Sequence, residues 1–379
     1  MPKIGKNIYK RKDGRWEGRY IKDRDDSGKI IYGSVYARTC TEVKQKLSSC
    51  GVKDSSPSKT VITPDKENIA FSEVAAQWLS VTSLKVKAST YAGYLNTLER
   101  HILPSLGKLK MQKLTSVDIG CFAKKKLKSG RIDEKGGLSA KSVRDMLSII
   151  KAIVDFAYDE NIIANGFTVV YPKQQPQKMR VLSRQEQALL EAFLTADVDI
   201  HKLGILLCLY TGLRIGEVCA LRWQDISSDY DTLSVRQTIQ RVRNTSGGDN
   251  KTRILIDAPK SLRSVRDIPI PKFLSPYLRH YGGGGKVYFL CTSESTFTEP
   301  RTMQNHFSRS ITAANIVDAN YHSLRHTFAT RCIEAGVDIK SLSEMLGHAS
   351  VSITLNRYVH SSFDQKREGM NKLEQYIGM

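Results

Sequence analysis

The sequence predicts a multidomain α+β chain, and three observations point to it. With 379 residues, the chain exceeds what one hydrophobic core usually serves, so two or three domains are expected. The hydrophobic period also changes along the chain. Strand-like alternation fills the stretch up to Ala37, helical spacing dominates from Phe71 to Tyr158, and short strands return between Leu233 and Pro271. Finally, Ser48–Pro64 and Pro172–Lys178 are polar, small and proline-bearing, as linkers are. The expected layout is a small three-stranded sheet plus one helix at 1–50, a linker at 51–64 and a helical unit at 65–171. A linker at 172–180 then leads to a mainly α unit at 181–379, which carries a small antiparallel sheet and a tail helix.

The elements follow in order. Asn7–Lys12, Trp16–Lys22 and Ile30–Ala37 read as strands, with Asp13-Gly14 as a tight hairpin signal and Asp25–Gly28 as a longer turn. Thr41 is placed to cap a helix through Val43 and Leu47. Alternation puts Trp16, Gly18 and Tyr20 on one face of the second strand. Arg15, Glu17 and Arg19 lie on the other, and basic residues interleave with Tyr9, Tyr20 and Tyr32. In the next unit Phe71, Val74, Ala75, Trp78 and Leu79 make one apolar stripe. Tyr91, Tyr94, Leu95 and Leu98 make a second, ended by Pro104 and Gly107. Val117–Leu127 and Ser142–Tyr158 supply two more helices, enough for a compact bundle. Lys124, Lys125 and Lys126 sit on the third, where a charge run is ordinarily a solvated face.

The last unit opens with Leu182-Ser183 and Glu186, a capping box with an apolar residue ahead of it. His201–Leu209 reads as a second, strongly apolar helix. Arg214 follows where glycines interrupt the apolar pattern, so its side chain has to leave the core, and Glu217 is its nearest acidic partner. Leu233–Arg243 and Lys251–Lys260 flank a Gly/Asn turn, and Val265–Pro271 is a further strand. Lys260 lies at the tip between the last two, with Lys251 as a rival lysine. The glycine run Gly282–Gly285 has neither a P-loop ending nor dinucleotide spacing, so nucleotide use is not expected.

Composition narrows the function. Lysine and arginine number 58 against 38 aspartates and glutamates, a net charge of +20. Such a surplus calls for a polyanionic partner, and nucleic acid is the commonest. The sequence shows no apolar run of spanning length, no signal peptide and no lipidation motif. The 7 cysteines are dispersed and form no CxxC, which suits a reducing cytosol.

The chemistry gathers between Tyr321 and His360, which reads as three short helices closed by Gly336 and Gly347, with Ser350 as an N-cap. They carry His322, Arg325 and His326, then His348, then Tyr358. Arginine offers a forked donor to phosphate, histidine exchanges protons near neutral pH, and a tyrosine oxygen can attack phosphorus. The His322/His326 spacing would suit a zinc helix, but Ser323 stands where a zinc hydrolase needs glutamate, so no metal is expected.

The ordered set His322-Ser-Leu-Arg325-His326-Thr-Phe-Ala-Thr, Leu346-Gly347-His348 and Arg357-Tyr358 resembles the C-terminal signature of tyrosine site-specific recombinases. Within that family it is most similar to integrases of Gram-positive conjugative transposons and phages. The resemblance covers nearly the whole chain and includes Thr90, Tyr91 and Tyr94 in the helical unit. It implies an arm-type DNA-binding sheet at the N-terminus, a core-binding helical domain, and a catalytic domain with a three-stranded sheet bearing Lys260 at its last hairpin.

What the resemblance implies about chemistry is a recombinase that integrates and excises a mobile element without ATP or cofactor. Arg214 and Arg325 would clamp the scissile phosphate, with Glu217 supporting Arg214. His348 would add a hydrogen bond and His322 would share the tyrosine proton. Lys260 would protonate the leaving 5′-oxygen, and Tyr358 would become a 3′-phosphotyrosine. Arg11, Arg15, Arg19, Lys124, Lys125 and Lys126 are the expected DNA contacts. The expected partners are double-stranded DNA at core-type and arm-type sites, a homotetramer on DNA, an excisionase and host DNA-bending proteins. The setting is the bacterial cytoplasm, nucleoid-associated when DNA is bound. Phe363, Met370, Leu373 and Ile377 are expected on a tail helix that docks on a neighbouring protomer. Two other readings use the same residues: a type IB topoisomerase, against which the separate N-terminal module argues, and a non-catalytic DNA-binding regulator, against which the full residue set argues.

Overall fold

The structure is a computed structural model. It describes residues 8–11, 13–24, 30–50, 68–174, 179–245, 250–259, 262–282 and 287–358, with isolated positions between 367 and 378. In chain order the elements are β1 (Ile8–Lys10), β2 (Trp16–Arg24), β3 (Ile30–Ala37), α1 (Cys40–Cys50), α2 (Phe71–Ser83), α3 (Ala88–Thr97), α4 (Leu103–Leu106), α5 (Ser116–Ser129) and α6 (Ala140–Asp159). Then come α7 (Arg184–Ala196), α8 (Ile200–Thr211), α9 (Ile215–Ala220), β4 (Thr232–Val235), β5 (Thr238–Arg243), β6 (Thr252–Asp257), β7 (Arg266–Pro269), α10 (Ser275–Tyr281), α11 (Pro300–Ala313), α12 (Tyr321–Glu334), α13 (Ile339–Leu346) and α14 (Val351–Tyr358). They form two compact units. One comprises residues 1–81 and 98–172, and the other residues 82–97 and 173–379.

In the first unit β1, β2 and β3 make an antiparallel sheet in sequence order. Tyr9, Glu17 and Tyr36 are cross-strand neighbours on one face. On the other, α1 packs so closely that a Cβ on Gly18 would lie 2.6 Å from Val43 and Leu47. Only glycine lets helix and sheet approach like this. The cap of α1 is Thr39, whose hydroxyl accepts from the Glu42 N–H, and not Thr41, which lies inside the helix.

Beyond residue 68 two of the expected stripes are buried, Phe71, Val74, Ala75, Trp78 and Leu79 on α2 and Val143, Leu147, Ile150 and Val154 on α6, although Tyr158 at the end of the latter is exposed. Of the stripe Tyr91, Tyr94, Leu95 and Leu98 only Leu98 is buried, and the other three are half-buried. Pro104 does not end its helix as expected. A π-helical turn at Leu98–Ile102 leads into α4, where Pro104 occupies the first turn. Its missing N–H costs nothing at that position.

The second unit is built around α8. Residues Leu203 to Leu209 are all buried, as an all-round apolar helix requires. Asp199 caps its start through the N–H groups of His201 and Lys202. Gly212 ends it in the left-handed region at φ 66°. Packed with it are Leu190 and Leu194 of α7, Val218 of α9, Phe307 of α11 and Leu324 of α12. A second, smaller cluster joins Phe328 and Ala329 of α12, Leu342 and Leu346 of α13, and Tyr358. The expected three-stranded sheet is instead two antiparallel pairs, β4 with β7 and β5 with β6. The run Leu233–Arg243 breaks at Arg236-Gln237, so its two halves pair with different strands.

Candidate active site

Arg214 stands at the junction between α8 and α9. It is the N-cap residue of α9, in extended conformation, and Glu217 folds back on it from the first turn of that helix. Glu217 Oε2 accepts from the Arg214 backbone N–H at 2.9 Å, and Oε1 accepts from Arg214 Nη1 at 2.7 Å. Arg214 Nη2 donates to the Gly347 carbonyl at 3.4 Å. The same carboxylate is held from its other side by Arg266 of β7, with Nη1 at 3.2 Å and Nη2 at 2.9 Å. Arg266 in turn donates from Nε to Met345 O and from Nη1 to Ser264 O. Burial alone would raise the Glu217 carboxyl, but the hydrogen bonds and charge of Arg266 and the charge of Arg214 hold it down at about 2. The Arg214 side chain keeps 38% of its surface exposed, while those of Arg266 and Glu217 keep only 6% and 3%. Arg214 is thus the arginine of this cluster open to a ligand.

Arg325 enters from α12 and is buried. Its Nη1 donates to Gly212 O at 2.8 Å and its Nη2 to Leu346 O at 2.6 Å. These are the carbonyls next to the two helix ends where Gly212 and Gly347 turn left-handed. Burial and the nearby charge of Arg214 push its guanidinium down to about 9, so it stays cationic at neutral pH. Arg214 and Arg266 share the Glu217 carboxylate and Arg325 adds a third guanidinium nearby, so these four groups carry an excess of two positive charges.

His348 follows Gly347, and its Nδ1 lies 2.7 Å from the hydroxyl of buried Thr354. Burial, with the charges of Arg325 and Arg214, pushes its imidazole down to about 4. Tyr358, at the end of α14, is 8% exposed. Its ring is parallel to that of His348 at 6.5 Å between centroids. Its hydroxyl meets His326 Nδ1 at 2.8 Å, and burial raises it above the ordinary phenol range. His322, the residue expected beside that hydroxyl, lies one turn earlier, with its ring edge-on to His326 at 4.4 Å. A cleft of about 830 Å³ opens over Arg214, Glu217, Gly347 and His348, and Lys87, Thr238, Gln240 and Asp257 complete its walls.

Residues 180–365 match the model of the phage integrase family, and residues 70–127 match that of its N-terminal SAM-like domain. The chain belongs to the phage integrase family. It is a tyrosine recombinase, an enzyme of DNA strand cleavage and rejoining. It is 26% identical to a XerC-like tyrosine recombinase of Caldanaerobacter subterraneus subsp. tengcongensis, over 92% of this chain and 93% of that protein. It is 23% identical to the ICEBs1 integrase of Bacillus subtilis, over 82% and 84%. Among solved structures, the Tn1549 transposon integrase in complex with transposon right end DNA superposes with a TM-score of 0.65 at 25% identity, covering 80% of this chain and 99% of that one. A lambda integrase tetramer bound to a Holliday junction gives 0.54 at 17%, over 96% and 99%, a likeness of fold.

The recombinase brings Arg214, Glu217, Arg325, His348 and Tyr358 together, with His322 at the edge. Lys260 lies outside the described residues. Just ahead of it, Lys87 Nζ donates to Ala258 O at 3.0 Å and Pro259 O at 3.3 Å and pairs with Asp257 at 3.4 Å. Sequence reasoning missed this tether, and also Arg266 and Thr354. A lone lysine and a strand arginine carry no signal of a partner many positions away, and Thr354 meets His348 only because the chain turns at Gly347 and re-enters a helix between them.

The six expected DNA contacts are placed unequally. Arg11, Arg15 and Arg19 lie on the open face of the N-terminal sheet, but each has an acidic partner. Arg11 and Arg19 pair with Glu17 at 2.8 and 3.2 Å, and Arg15 pairs with Asp13 at 2.8 Å. Arg11 and Arg15 also lie over Tyr36, and Arg19 over Tyr9. Hydrogen bonds from Tyr9, Arg11, Arg19 and Ser34 keep the Glu17 carboxyl at about 2. On α5, Lys124 and Lys125 are exposed, while Lys126 leans over the Phe122 ring at 5.6 Å. On the tail, Phe363 and Leu373 lie outside the described residues, and Met370 and Ile377 are exposed. Among the described residues no group of three or more His, Cys, Asp or Glu could hold a metal. No described helix is long and apolar enough to cross a membrane.

Proposed function

We propose that this recombinase integrates and excises a mobile element by breaking and rejoining DNA through a 3′-phosphotyrosine at Tyr358. The observation that carries the reading is the convergence of Arg214, Arg325, His348 and Tyr358, from four separate elements, on one site with surplus positive charge. A phosphodiester supplies one negative charge, and its transition state gathers more on the non-bridging oxygens. Arg214 and Arg325 receive that charge in positions already fixed by Glu217 and by the Gly212 and Leu346 carbonyls, so little reorganisation is needed at reaction. His348 donates to the same oxygens. Lys260 protonates the departing 5′-oxygen. The phosphotyrosine keeps the energy of the broken bond, so rejoining needs no ATP.

Within this proposal residues 1–50 bind arm-type DNA through the Arg11, Arg15 and Arg19 face, and residues 65–171 bind core-type DNA with Lys124 and Lys125. Residues 181–379 form the catalytic domain. Lys126 contributes less directly, since its stem is committed to Phe122. The assembly on DNA is a homotetramer in which the tail helix docks in trans. An excisionase and host DNA-bending proteins assist it in the bacterial cytoplasm.

The test is Tyr358→Phe with a nicked suicide duplex carrying the element's own end. The variant should bind the duplex as wild type does and form no SDS-resistant adduct. A persisting adduct would remove Tyr358 from the role of nucleophile.

A further inference from the structure

The phenolic proton of Tyr358 has to leave before, or as, its oxygen bonds to phosphorus, and among the described residues one acceptor lies against that oxygen. His326 Nδ1 lies 2.8 Å from Tyr358 Oη, with both residues largely buried. His322, which the family pattern offers for the proton, packs against the His326 ring and is itself open to solvent. His326 also neighbours Arg325 in sequence, so the helix that fixes the phosphate clamp fixes this ring too.

We infer that His326, not His322, is the catalytic residue that takes the proton of Tyr358 during strand cleavage and returns it during rejoining. The inference rests on the reading of Tyr358 as nucleophile. With Nε2 carrying the ring hydrogen, Nδ1 presents a lone pair to the phenol. In cleavage the Oη–H bond breaks and the proton passes to Nδ1. The Oη–P bond forms while the P–O5′ bond breaks, and the leaving oxygen takes a proton from Lys260. In rejoining the 5′-hydroxyl gives its proton back to Lys260 as its oxygen bonds to phosphorus, the Oη–P bond breaks, and the imidazolium returns its proton to the departing tyrosine oxygen.

The charged and titratable groups around the ring are His322 and Arg325 on its own helix and Arg357 and Tyr358 on α14. Burial, with His322 and these arginines, pushes His326 down to about 4 without DNA, so the ring is neutral and able to accept at neutral pH. An arriving phosphate offsets the arginine charge and makes the ring more basic when a base is needed. The proton acceptor is thus weak in the free protein and strengthened by its substrate.

The experiment measures single-turnover cleavage by the full chain on nicked suicide duplexes with either an oxygen or a sulfur at the bridging 5′ position. A sulfur leaving group needs no proton, so it rescues loss of the acid but not loss of the base. His326→Gln and His326→Ala should bind DNA normally and cleave about 10²-fold or more slowly on both duplexes. Their rates should climb roughly tenfold per pH unit as hydroxide replaces the missing base, a slope absent from wild type. Wild-type rates, or full rescue by sulfur, would overturn the assignment. If neither variant folds, wild-type protein with ¹⁵N-labelled histidine decides: one imidazole Nδ1 signal should move on Tyr358→Phe, and an unmoved spectrum overturns the proposal. An adduct formed by Tyr358→Phe would instead refute the nucleophile reading on which it rests.

Discussion

Glu217 and Arg266 offer the sharpest test of how the site is held. Glu217→Gln leaves Arg214, Arg266 and Arg325 together without their carboxylate, and Arg266→Met leaves a buried carboxylate with Arg214 alone. An ordinary glutamate near 4.5 is held at about 2 here, which corresponds to about 3 kcal/mol of stabilisation of the folded carboxylate. The folded value is the lower one, so this contribution is complete above pH 4.5 and fades as pH falls toward 2. At pH 7 each single variant should therefore lose about 3 kcal/mol, the scale expected when one member of a buried ion pair is removed. For a unit of this size that is a fall of roughly 6–12 °C in Tm.

The double variant should cost clearly less than the sum, because it leaves neither charge buried without its partner, and the coupling should be about 1–3 kcal/mol. Urea unfolding at pH 7 in a Trp16→Phe, Trp78→Phe background measures this, with Trp223 as the reporter in its own unit. Additivity within about 0.5 kcal/mol, or single variants as stable as wild type, would refute the argument that Arg266 and Glu217 form one buried support for Arg214.

Three further predictions follow from the same geometry. Arg214→Lys should bind DNA as wild type does but cleave at least about 10²-fold more slowly, because an ammonium cannot engage Glu217 and a phosphate oxygen through a planar fork; near-normal single-turnover cleavage would reduce Arg214 to a structural residue. His322, His326 and His348 are each pushed down to about 4, below the ordinary 6.5, so the unfolded chain binds more protons between pH 6.5 and 4 and stability should fall as pH drops through that window. The phosphate relieves the arginine field, so DNA binding at pH 5–6 should take up protons, seen as calorimetric binding enthalpies that vary with buffer ionisation heat; buffer-independent enthalpies would sink this.

Much of this site is written in short-range pattern. Ser183 and Glu186 form the expected capping box, and Gly347 ends its helix left-handed as its position after Leu346 suggests. Glu217 reaches Arg214 at the i,i+3 spacing that sequence shows directly. What stayed hidden depends on how the chain returns to itself. Arg266 reaches Glu217 across 49 positions, and Lys87 reaches Pro259 across 172. Both arginine and lysine look like ordinary surface charge when read locally. The break at Arg236-Gln237 was equally invisible, because β4 and β5 read as one strand until their different partners are known. His322 and His326 are separated only by which face of α12 meets α14, and Leu324, Arg325 and Phe328 give burial signals on both sides of that choice.

The hidden contacts share one physical purpose. A cluster of arginines facing a cleft repels itself, and a protein without bound DNA has to hold it together by other means. Here Glu217 neutralises one charge, and the carbonyls of Gly212, Leu346, Met345 and Ser264 turn their negative ends toward the rest. The nearby histidines stay neutral rather than add to the repulsion. That leaves a deficit which a phosphate in the cleft would fill and which a transition state of greater negative charge would fill better. The residues that hold the site's fold are therefore the same ones that bias it toward catalysis.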